Sequence, residues 1–527
     1  MVVPTRTPLP SPDTLAGLYA RACRWRGSLE LFTDSTERIS GRQAWQASLA
    51  IGGALAARGL AAGGRIAFLC KPSTRHALAW FGVPLAGGVS CSLHVRETPE
   101  RLGETLAWLG AVALIHDADL ASLAANVLSH AKRHGHSSQG ISLGNAHDGS
   151  PEWETLLAAP PANPLALKPD QLAAIILSSG STGRPKGVMH TQRTLAENAK
   201  AGQVLYGTVT TRDAALVMMQ PSFAAWVNVV VPYVAGCGKV VFGEAFTPGG
   251  FLESIARERI TMAPAVPTMW RMMFAEDIAR YDLSSVKNVS ISGEPPSRTD
   301  LERIYAQVSK GISSFYSSSE AGTGGAVLAT EADTLGIGRA SSGKPDTTGR
   351  PVVGADIRII DPEGDFHDQL PPGEIGEILV SGPSLAVGYW QDDALTRKRF
   401  RDGWWRSGDM GYVDADGDLF VLGRTDNVIN TGGMKVHGEE VERALLRHPA
   451  VAQAAVVGVA DERWGQRIEA HVILKAGHTA TPEALATFCK LEGGLASFKA
   501  PKVFHLVDRL PTGPTGKLYR RALRAAD

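Results

Sequence analysis

The stretch Ser178-Ser-Gly-Ser-Thr-Gly-Arg-Pro-Lys-Gly187 follows an apolar run at residues 172–177. The run predicts a buried strand, and the stretch rich in glycine and hydroxyl groups predicts a loop that binds phosphate. Its glycines let backbone N–H groups approach phosphate oxygens closely, and the hydroxyls of Ser181 and Thr182 can donate further hydrogen bonds. Lys186 supplies a mobile positive charge for the terminal phosphates. The sequence therefore predicts a polyphosphate site directly after this strand.

Two other well-known loops do not fit the same stretch. A P-loop requires Gly, four residues, and then Gly-Lys followed by Ser or Thr, whereas Lys186 stands between Pro185 and Gly187. The serine elbow of α/β-hydrolases requires Gly-x-Ser-x-Gly, which the stretch does not contain. The loop therefore favours neither a P-loop NTPase nor a serine hydrolase.

Length and composition predict a folded protein of more than one domain, with 527 residues, 44% of them hydrophobic and 20% charged. The 53 Lys and Arg balance the 53 Asp and Glu, so we expect no nucleic-acid partner. Five widely spaced cysteines without a Cys-x-x-Cys pair favour reduced, buried thiols. The first 13 residues lack the apolar core of a signal peptide, and the longest apolar stretch, 224–237, is too short for a membrane span. We expect a cytoplasmic protein and make no prediction of its oligomeric state.

Alternation of apolar segments predicts layered α/β structure over the first part of the chain. Helices are expected at 41–58 and 76–87, and strands at 65–70, 112–115 and 238–242. The stretch 134–151, rich in Gly, Ser, His and Asn, predicts a surface loop. Its histidines have no acidic or cysteine partners at ligand spacing, which favours solvated side chains over metal ligands.

From about residue 352 the sequence becomes rich in strand signals, at 357–361, 376–381, 411–418 and 419–422. A break in composition follows at 423–427. The tail beyond it predicts helices at 438–447, 482–492 and near the end of the chain, with strands at 454–459 and 469–474. The expected architecture is a large layered α/β domain with a β-rich subdomain over 1–425, followed by a small α+β domain over 426–527.

Further motifs follow the phosphate loop in order: Tyr316-Ser-Ser-Ser-Glu320, Trp404-Trp-Arg-Ser-Gly-Asp409, Gly423-Arg-Thr-Asp426 and Pro511-Thr-Gly-Pro-Thr-Gly-Lys517. Together, from about residue 172 to 517, they resemble the signatures of the adenylate-forming superfamily of acyl-CoA synthetases, adenylation domains and luciferases. The resemblance implies ATP, Mg²⁺ and coenzyme A as cofactors and a carboxylic acid as substrate. A carboxylate resists nucleophiles until ATP converts it into an acyl-adenylate with release of pyrophosphate, after which a thiol displaces AMP.

The resemblance also implies roles for individual residues of the nucleotide site. The implied contacts are Ser181, Thr182, Gly183 and Lys186 at the phosphates, Gly293 and Tyr316 at the adenine, Ser319 at the α-phosphate, Glu320 as a ligand of Mg²⁺, Asp409 at the ribose hydroxyls and Arg424 near ribose and phosphate. Two positions depart from the family pattern, because Ser317 replaces a common glycine and Ser319 a common threonine. Serine keeps the hydroxyl but loses the methyl group that restricts its rotamer.

The same resemblance implies a mobile C-terminal domain that serves two half-reactions. Asp426 falls on the hinge position, and Lys517 matches the lysine that serves adenylate formation. Gly432 and Gly433 match the loop that lines the pantetheine tunnel. A hinge fits the chemistry, because a cationic lysine is needed over the carboxylate in the first step and must leave before a thiol enters.

The acyl group is the least defined part of the prediction. By resemblance the pocket includes Phe223, Trp226, Gly322 and Gly324, although each fits a plain core role as well. Ala224 stands where many members have a histidine. An aromatic or medium-chain acid fits these residues.

Three alternatives stay open. A stand-alone adenylation enzyme would load the phosphopantetheine of an acyl carrier protein. A nucleotide-binding regulator without catalysis would explain the departures at Ser317, Ser319 and Ala224. A light-emitting oxygenase would share the motifs.

Overall fold

The structure is a computed structural model that describes residues 9–145, 152–178, 185–293, 296–323, 327–330, 344, 347–512 and 518–524. Contacts divide the chain into two compact units. The large unit comprises residues 1–357 and 380–405, and the small unit comprises 358–379 and 406–527. The small unit therefore combines the tail with parts of the β-rich segment that the sequence analysis had placed before residue 426. Compact units of this kind do not show where the chain rotates, so the domain boundary at Asp426 stays a prediction.

The described α-helices are α1 (Leu15–Arg26), α2 (Gly41–Ala57), α3 (Thr74–Leu85), α4 (Pro99–Leu109), α5 (Ala121–Arg133), α6 (Glu152–Leu157), α7 (Gln192–Leu205), α8 (Ala224–Ala235), α9 (Pro248–Glu258), α10 (Pro267–Met273), α11 (Arg298–Gln307), α12 (Asp393–Arg399), α13 (Gly438–Leu446), α14 (Pro482–Leu491) and α15 (Arg520–Arg524).

The described strands are β1 (Glu30–Thr33), β2 (Arg38–Ser40), β3 (Arg65–Leu69), β4 (Val89–Ser92), β5 (Ala113–His116), β6 (Gln139–Ser142), β7 (Leu172–Ser178), β8 (Lys186–Thr191), β9 (Ala214–Val217), β10 (Lys239–Phe242), β11 (Met262–Pro264), β12 (Asn288–Ile291), β13 (Ile312–Tyr316), β14 (Val327–Thr330), β15 (Arg350–Pro351), β16 (Asp356–Ile360), β17 (Gly376–Ser381), β18 (Phe400–Arg401), β19 (Trp404–Val413), β20 (Leu419–Arg424), β21 (Val428–Thr431), β22 (Met434–His437), β23 (Val451–Asp461), β24 (Gly465–Leu474) and β25 (Val503–Leu506).

Two mainly parallel sheets form the framework of the large unit. One sheet has the order β15-β14-β13-β12-β11-β9-β10-β1-β2, and the other has the order β6-β5-β3-β4-β7-β8. Interior strands such as β5 and β9 are buried at every residue, as expected of parallel strands that are covered on both faces. The pair β7 and β8 is antiparallel, so the predicted phosphate loop connects two neighbouring strands at the end of a sheet.

Several helices of the large unit begin at polar side chains that cap their free N–H groups. Ser40 and Gln43 form a capping box at the start of α2, and Thr191 and Thr194 form another at the start of α7. Such caps satisfy backbone donors that have no partner inside the helix. Because α7 follows β8 directly, the strand that carries Lys186 leads straight into a capped and mostly buried helix.

The small unit contains a sheet of order β22-β21-β24-β23, with β25 paired in parallel on β24. Its core combines apolar residues of the sheet with those of α13 and α14, among them Val441, Leu445 and Leu485. Strand β19 begins in the large unit, where it pairs with β18. It continues in the small unit, where residues 409–413 pair with β20.

The mixed α/β fold with a large and a smaller part is confirmed, as are the predicted strand at 172–177 and the helices at 41–58 and 76–87 within a few residues. The prediction of a surface loop over 134–151 is wrong in part, because β6 pairs with β5 there and buries Ile141 and Ser142. The four residues of this strand do not alternate in polarity, and the Gly- and His-rich composition around them is typical of a loop. Among the described residues, no helix has the length and hydropathy that a bilayer crossing requires.

Candidate functional site

Lys186 occupies the first position of β8, directly opposite Ser178 in the antiparallel pair with β7. The sheet therefore fixes both ends of the predicted phosphate loop. The ammonium group of Lys186 lies 5.8 Å from the centre of the Tyr389 ring, a distance that permits a cation–π contact. The predicted phosphate contacts Ser181, Thr182 and Gly183 lie outside the described residues.

Glu320 is a buried carboxylate with 8% of its surface exposed. Its Oε1 accepts a hydrogen bond of 2.9 Å from the hydroxyl of Tyr389, and that hydroxyl accepts one of 3.2 Å from Nε1 of Trp405. Burial and the nearby charge of Glu320 raise the pKa of Tyr389, so the phenol stays protonated and donates. A buried charge needs such donors. Tyr389 therefore contacts two predicted site residues, Glu320 through its hydroxyl and Lys186 through its ring.

The backbone of the loop that carries Ser319 is fixed by a buried histidine. Nε2 of His190 lies 2.8 Å from the carbonyl oxygen of Ser319, and Nδ1 lies 3.2 Å from Oγ1 of Thr194. Burial lowers the pKa of His190 to about 4, so the ring is neutral and has one N–H. The carbonyl can only accept, which assigns that proton to Nε2. Ser319 therefore sits on a positioned backbone.

A second buried network holds the end of the same loop. The backbone N–H and hydroxyl of Thr323 donate to Oδ1 and the carbonyl oxygen of Asn198 at 2.6 Å each, and Asn198 donates to Oδ1 of Asn228 at 3.1 Å. Gly322 has φ of 61°, and a Cβ there would lie 2.9 Å from Oδ1 of Asn198. Glycine is thus required for conformation and for space.

The predicted adenine and acyl residues are distributed around the large unit. Tyr316 ends β13 and Gly293 follows β12, and these strands are neighbours in parallel register. Phe223 is half-buried before α8, with its ring 5.2 Å from that of His94. Gly324 lies outside the described residues.

Trp226 is fully buried, and its ring packs against His76, Trp80 and Phe242 at centroid distances of 5.0, 5.2 and 6.4 Å. The structure therefore places Trp226 in the core. Its contact with an acyl group stays a prediction, and one that this burial does not favour.

In the small unit, Asp409 and Arg424 lie opposite each other on β19 and β20. Nη1 of Arg424 lies 2.9 Å from Oδ1 of Asp409. The backbone N–H of Asp409 donates to Oγ of Ser407 at 2.9 Å, and that hydroxyl donates to the carbonyl oxygen of Ile378 at 2.7 Å. The structure thus brings together the two residues that the resemblance assigns to the ribose.

Asp426 lies in a short 3-10 turn, Thr425–Asn427, and its carbonyl oxygen accepts a hydrogen bond of 3.1 Å from Arg524. The elements on either side of this turn are in contact. Arg443 of α13 donates to the carbonyl oxygens of Val421 and Leu422 at 3.2 and 3.4 Å.

Gly432 and Gly433 form the turn between β21 and β22 with φ of 57° and 79°. A Cβ at Gly432 would lie 2.9 Å from the ring of Trp464, whereas one at Gly433 would meet no atom within 4 Å. Lys517 lies outside the described residues.

Sequence reasoning missed Tyr389, Trp405 and His190. Tyr389 and Glu320 are 69 positions apart in the sequence, His190 and Ser319 are 129 apart, and Trp405 and Tyr389 are 16 apart. No local motif marks such pairs. The run Gly388-Tyr-Trp390, in which two aromatic residues follow a glycine, was the one available hint.

Comparison with known proteins gives a consistent result. The model of the AMP-binding enzyme family matches residues 19–390, and that of the AMP-binding enzyme C-terminal domain matches 440–517. A feruloyl-CoA synthase of an Amycolatopsis species is 32% identical over 515 residues, which are 96% of each chain. A fatty acid–[acyl-carrier-protein] ligase of Streptomyces coeruleorubidus is 31% identical, covering 89% of this chain and 88% of the relative.

Solved structures show the same fold. An O-succinylbenzoate coenzyme A synthetase from Bacillus subtilis in complex with AMP superposes with a TM-score of 0.82 at 24% identity, covering 97% of this chain and 98% of that one. An amide bond synthetase from Marinactinospora thermotolerans gives 0.84 at 25% identity, with 96% and 98% covered. The chain belongs to the adenylate-forming superfamily of AMP-binding enzymes.

Proposed function

We propose that the chain is an acid–thiol ligase that activates a carboxylic acid with ATP as an acyl-adenylate and transfers the acyl group to coenzyme A. The observation that carries the proposal is that Tyr389 contacts both Glu320 and Lys186, two residues at motif positions that this sequence keeps. Identity of 32% to a feruloyl-CoA synthase over nearly the whole chain supports the choice of reaction.

Residues of the large unit would act on the first half-reaction by positioning and by charge. The carboxylate attacks the α-phosphorus, the bond to pyrophosphate breaks, and negative charge on the phosphate oxygens must be stabilised. Lys186 supplies positive charge at the end of the phosphate loop, and the hydroxyl of Ser319 donates towards the α-phosphate. The neutral ring of His190 holds the Ser319 backbone in place.

A divalent cation fits the residues present, because Glu320 offers the kind of oxygen ligand that Mg²⁺ prefers and Tyr389 orients that carboxylate. Mg²⁺ there would offset the charge of the phosphates. Asp409 would accept hydrogen bonds from the ribose hydroxyls while Arg424 holds its other side.

The second half-reaction requires the thiol of coenzyme A to attack the acyl carbonyl carbon and to expel AMP. We propose that Lys517 serves adenylate formation, that rotation about Asp426 between domains 1–425 and 426–527 removes it, and that Gly432 and Gly433 line the path of the pantetheine arm. The support from this chain is the open space at Gly433 and the positive φ of both glycines.

The acid is proposed to be aromatic or of medium chain length. The name of the feruloyl-CoA synthase relative favours an aromatic acid. Phe223 and Gly322 are the predicted pocket residues whose placement suits this role, since Phe223 is half-buried and Gly322 adds no side chain.

A carrier protein is the second candidate acceptor. The observation in its favour is the 31% identity to a fatty acid–[acyl-carrier-protein] ligase. In that case the phosphopantetheine thiol of an acyl carrier protein would replace that of coenzyme A, with the first half-reaction unchanged.

The test is a panel of aromatic and aliphatic acids, scored by pyrophosphate release and by AMP release, with coenzyme A, with a phosphopantetheinylated carrier protein, and with neither. We expect acid-dependent pyrophosphate release in all three conditions and turnover to thioester with coenzyme A. Thioester formation with the carrier protein alone would establish the second candidate. Background pyrophosphate release with every acid would contradict both and favour a regulator without catalysis.

A further inference from the structure

Three side chains with metal-binding groups lie together in the small unit, on residues that the proposed ligase reaction does not use. They are Glu469 and His471 of β24 and His505 of β25. His471 pairs with His505 in the parallel register of these strands, and Glu469 precedes His471 by two residues. Alternate residues of a strand and its directly opposed neighbour project from the same face. The register of the sheet therefore brings the three side chains to one face.

The distances allow one ion to be shared. One ligand atom from each residue lies within 4.8 Å of the others, and Nε2 of His505 lies 2.8 Å from Oε2 of Glu469. Two ligand atoms of one Zn²⁺ ion lie at most about 4 Å apart. Small side-chain rotations that move each ligand atom by less than about 1 Å would therefore bring all three to a common ion. The two imidazole rings are stacked at 4.4 Å.

An unsatisfied nitrogen points to a missing partner. His471 has 7% of its surface exposed, and its buried Nε2 makes no hydrogen bond with any described residue. Leaving a buried polar nitrogen without a partner costs free energy, so a native site of this kind calls for an explanation.

The charge next to the cluster favours one carboxylate oxygen as the ligand. Nε of Arg467 donates to Oε1 of Glu469 at 2.5 Å, which leaves Oε2 facing His505. Ligating carboxylates are commonly held in this way by a further hydrogen-bond donor. The side chain of His505 is 41% exposed, so an ion can enter from solvent on that side.

We propose that Glu469, His471 and His505 form a binding site for a divalent transition metal of the Zn²⁺ class. Two imidazole nitrogens and one carboxylate oxygen suit Zn²⁺ and similar ions, whereas Mg²⁺ prefers oxygen ligands alone. The ion takes the position of the proton between Nε2 of His505 and Glu469, and the neutral ring then carries its one N–H at Nδ1. Because His505 is on β25 and the other two ligands are on β24, the bound ion ties β25 to the sheet.

The test uses the full chain without a histidine tag, titrated with Co²⁺ and with Zn²⁺ against a chromophoric chelator. We expect a visible Co²⁺ absorption band and Zn²⁺ binding that excess Mg²⁺ does not displace. His505→Gln keeps an N–H donor for Glu469 but removes the ligand nitrogen. Loss of one ligand should weaken Zn²⁺ binding by at least about a hundredfold, since loss of an outer hydrogen-bond partner alone costs up to that much. His478→Gln, which changes an exposed histidine of the same unit, is the matched control and should bind as the wild type does.

Hydrogen exchange locates the ion. Zn²⁺ should slow amide exchange of residues 503–506 in the wild type and in His478→Gln, but not in His505→Gln or His471→Asn. Equal Zn²⁺ binding by wild type and His505→Gln would overturn the proposal, as would unchanged exchange at 503–506 or displacement of Zn²⁺ by Mg²⁺.

Discussion

Replacing Tyr389 with phenylalanine removes one oxygen atom from the candidate site and keeps the rest of the side chain. The ring stays available to Lys186 at its 5.8 Å distance. The hydrogen bond of 2.9 Å to Glu320 is lost, and Nε1 of Trp405 loses its acceptor. Tyr389→Phe therefore tests what the phenol hydroxyl contributes to the position of the Glu320 carboxylate.

The size of the effect follows from the charge of the acceptor. A hydrogen bond to a charged group contributes about 1.5–3 kcal/mol, and Glu320 is buried, so water does not readily replace the lost donor. If the whole of this loss raises the activation free energy, adenylate formation slows by about ten- to a hundredfold, because each factor of ten in rate corresponds to about 1.36 kcal/mol. Because Glu320 is the proposed Mg²⁺ ligand, the Mg²⁺ concentration for half-maximal rate should rise as well.

The assay is acid-dependent exchange of pyrophosphate into ATP over a range of Mg²⁺ concentrations. Tyr19→Phe is the matched control, since it removes a buried hydroxyl that lies 2.9 Å from the hydroxyl of Ser48. Thermal unfolding should show comparable stability losses for the two variants, with exchange impaired in Tyr389→Phe alone. An unaltered exchange rate and Mg²⁺ dependence in Tyr389→Phe would refute the argument that this phenol positions Glu320.

Three further predictions concern other residues. Lys517→Ala should abolish adenylate formation but leave thioester formation from supplied acyl-AMP, and equal loss of both half-reactions, measured separately, would contradict the two-step role of the domain. Asp426→Pro should restrict backbone rotation and slow mainly the second half-reaction, so an unchanged single-turnover rate of thioester formation would remove the hinge assignment. The pKa of His190 falls from 6.5 to about 4 on folding, so the unfolded chain binds a proton that the folded chain does not, and stability falls as pH falls through this window. His190→Gln should show a shallower fall in its urea midpoint over that range, and a parallel fall would exclude the titration of His190 as its cause.

The sequence predicted the parts of the molecule whose cause is local. An apolar run at 172–177 forms β7 because most of its side chains are buried, and the loop predicted after it is shorter than expected, since Lys186 already begins β8. Asp409 and Arg424 were predicted from separate motifs, and the pairing of β19 with β20 brings them together. In each case a short pattern lies in or next to the element that it helped to predict.

The sequence could not predict the parts that depend on tertiary contacts. Tyr389 approaches Glu320 only because distant segments fold against each other. The strand at 139–142 forms because β5 offers it an edge to pair with, although its own composition is typical of a loop. Trp226 resembled a pocket residue as much as a core residue, and only the aromatic rings around it distinguish the two.

The hydrogen bonds that join α13 to β20 carry a consequence for the proposed rotation at Asp426. Arg443 holds the carbonyl oxygens of Val421 and Leu422, and Glu439 lies against Gly423, so that a Cβ there would overlap its carboxylate. The proposed rotation of the C-terminal domain about Asp426 would first have to break these contacts of Arg443 and Glu439. If the proposed rotation occurs, the strength of these contacts would set how readily it starts, and a variant of Arg443 would change the balance between the two half-reactions without altering a residue at the reacting atoms.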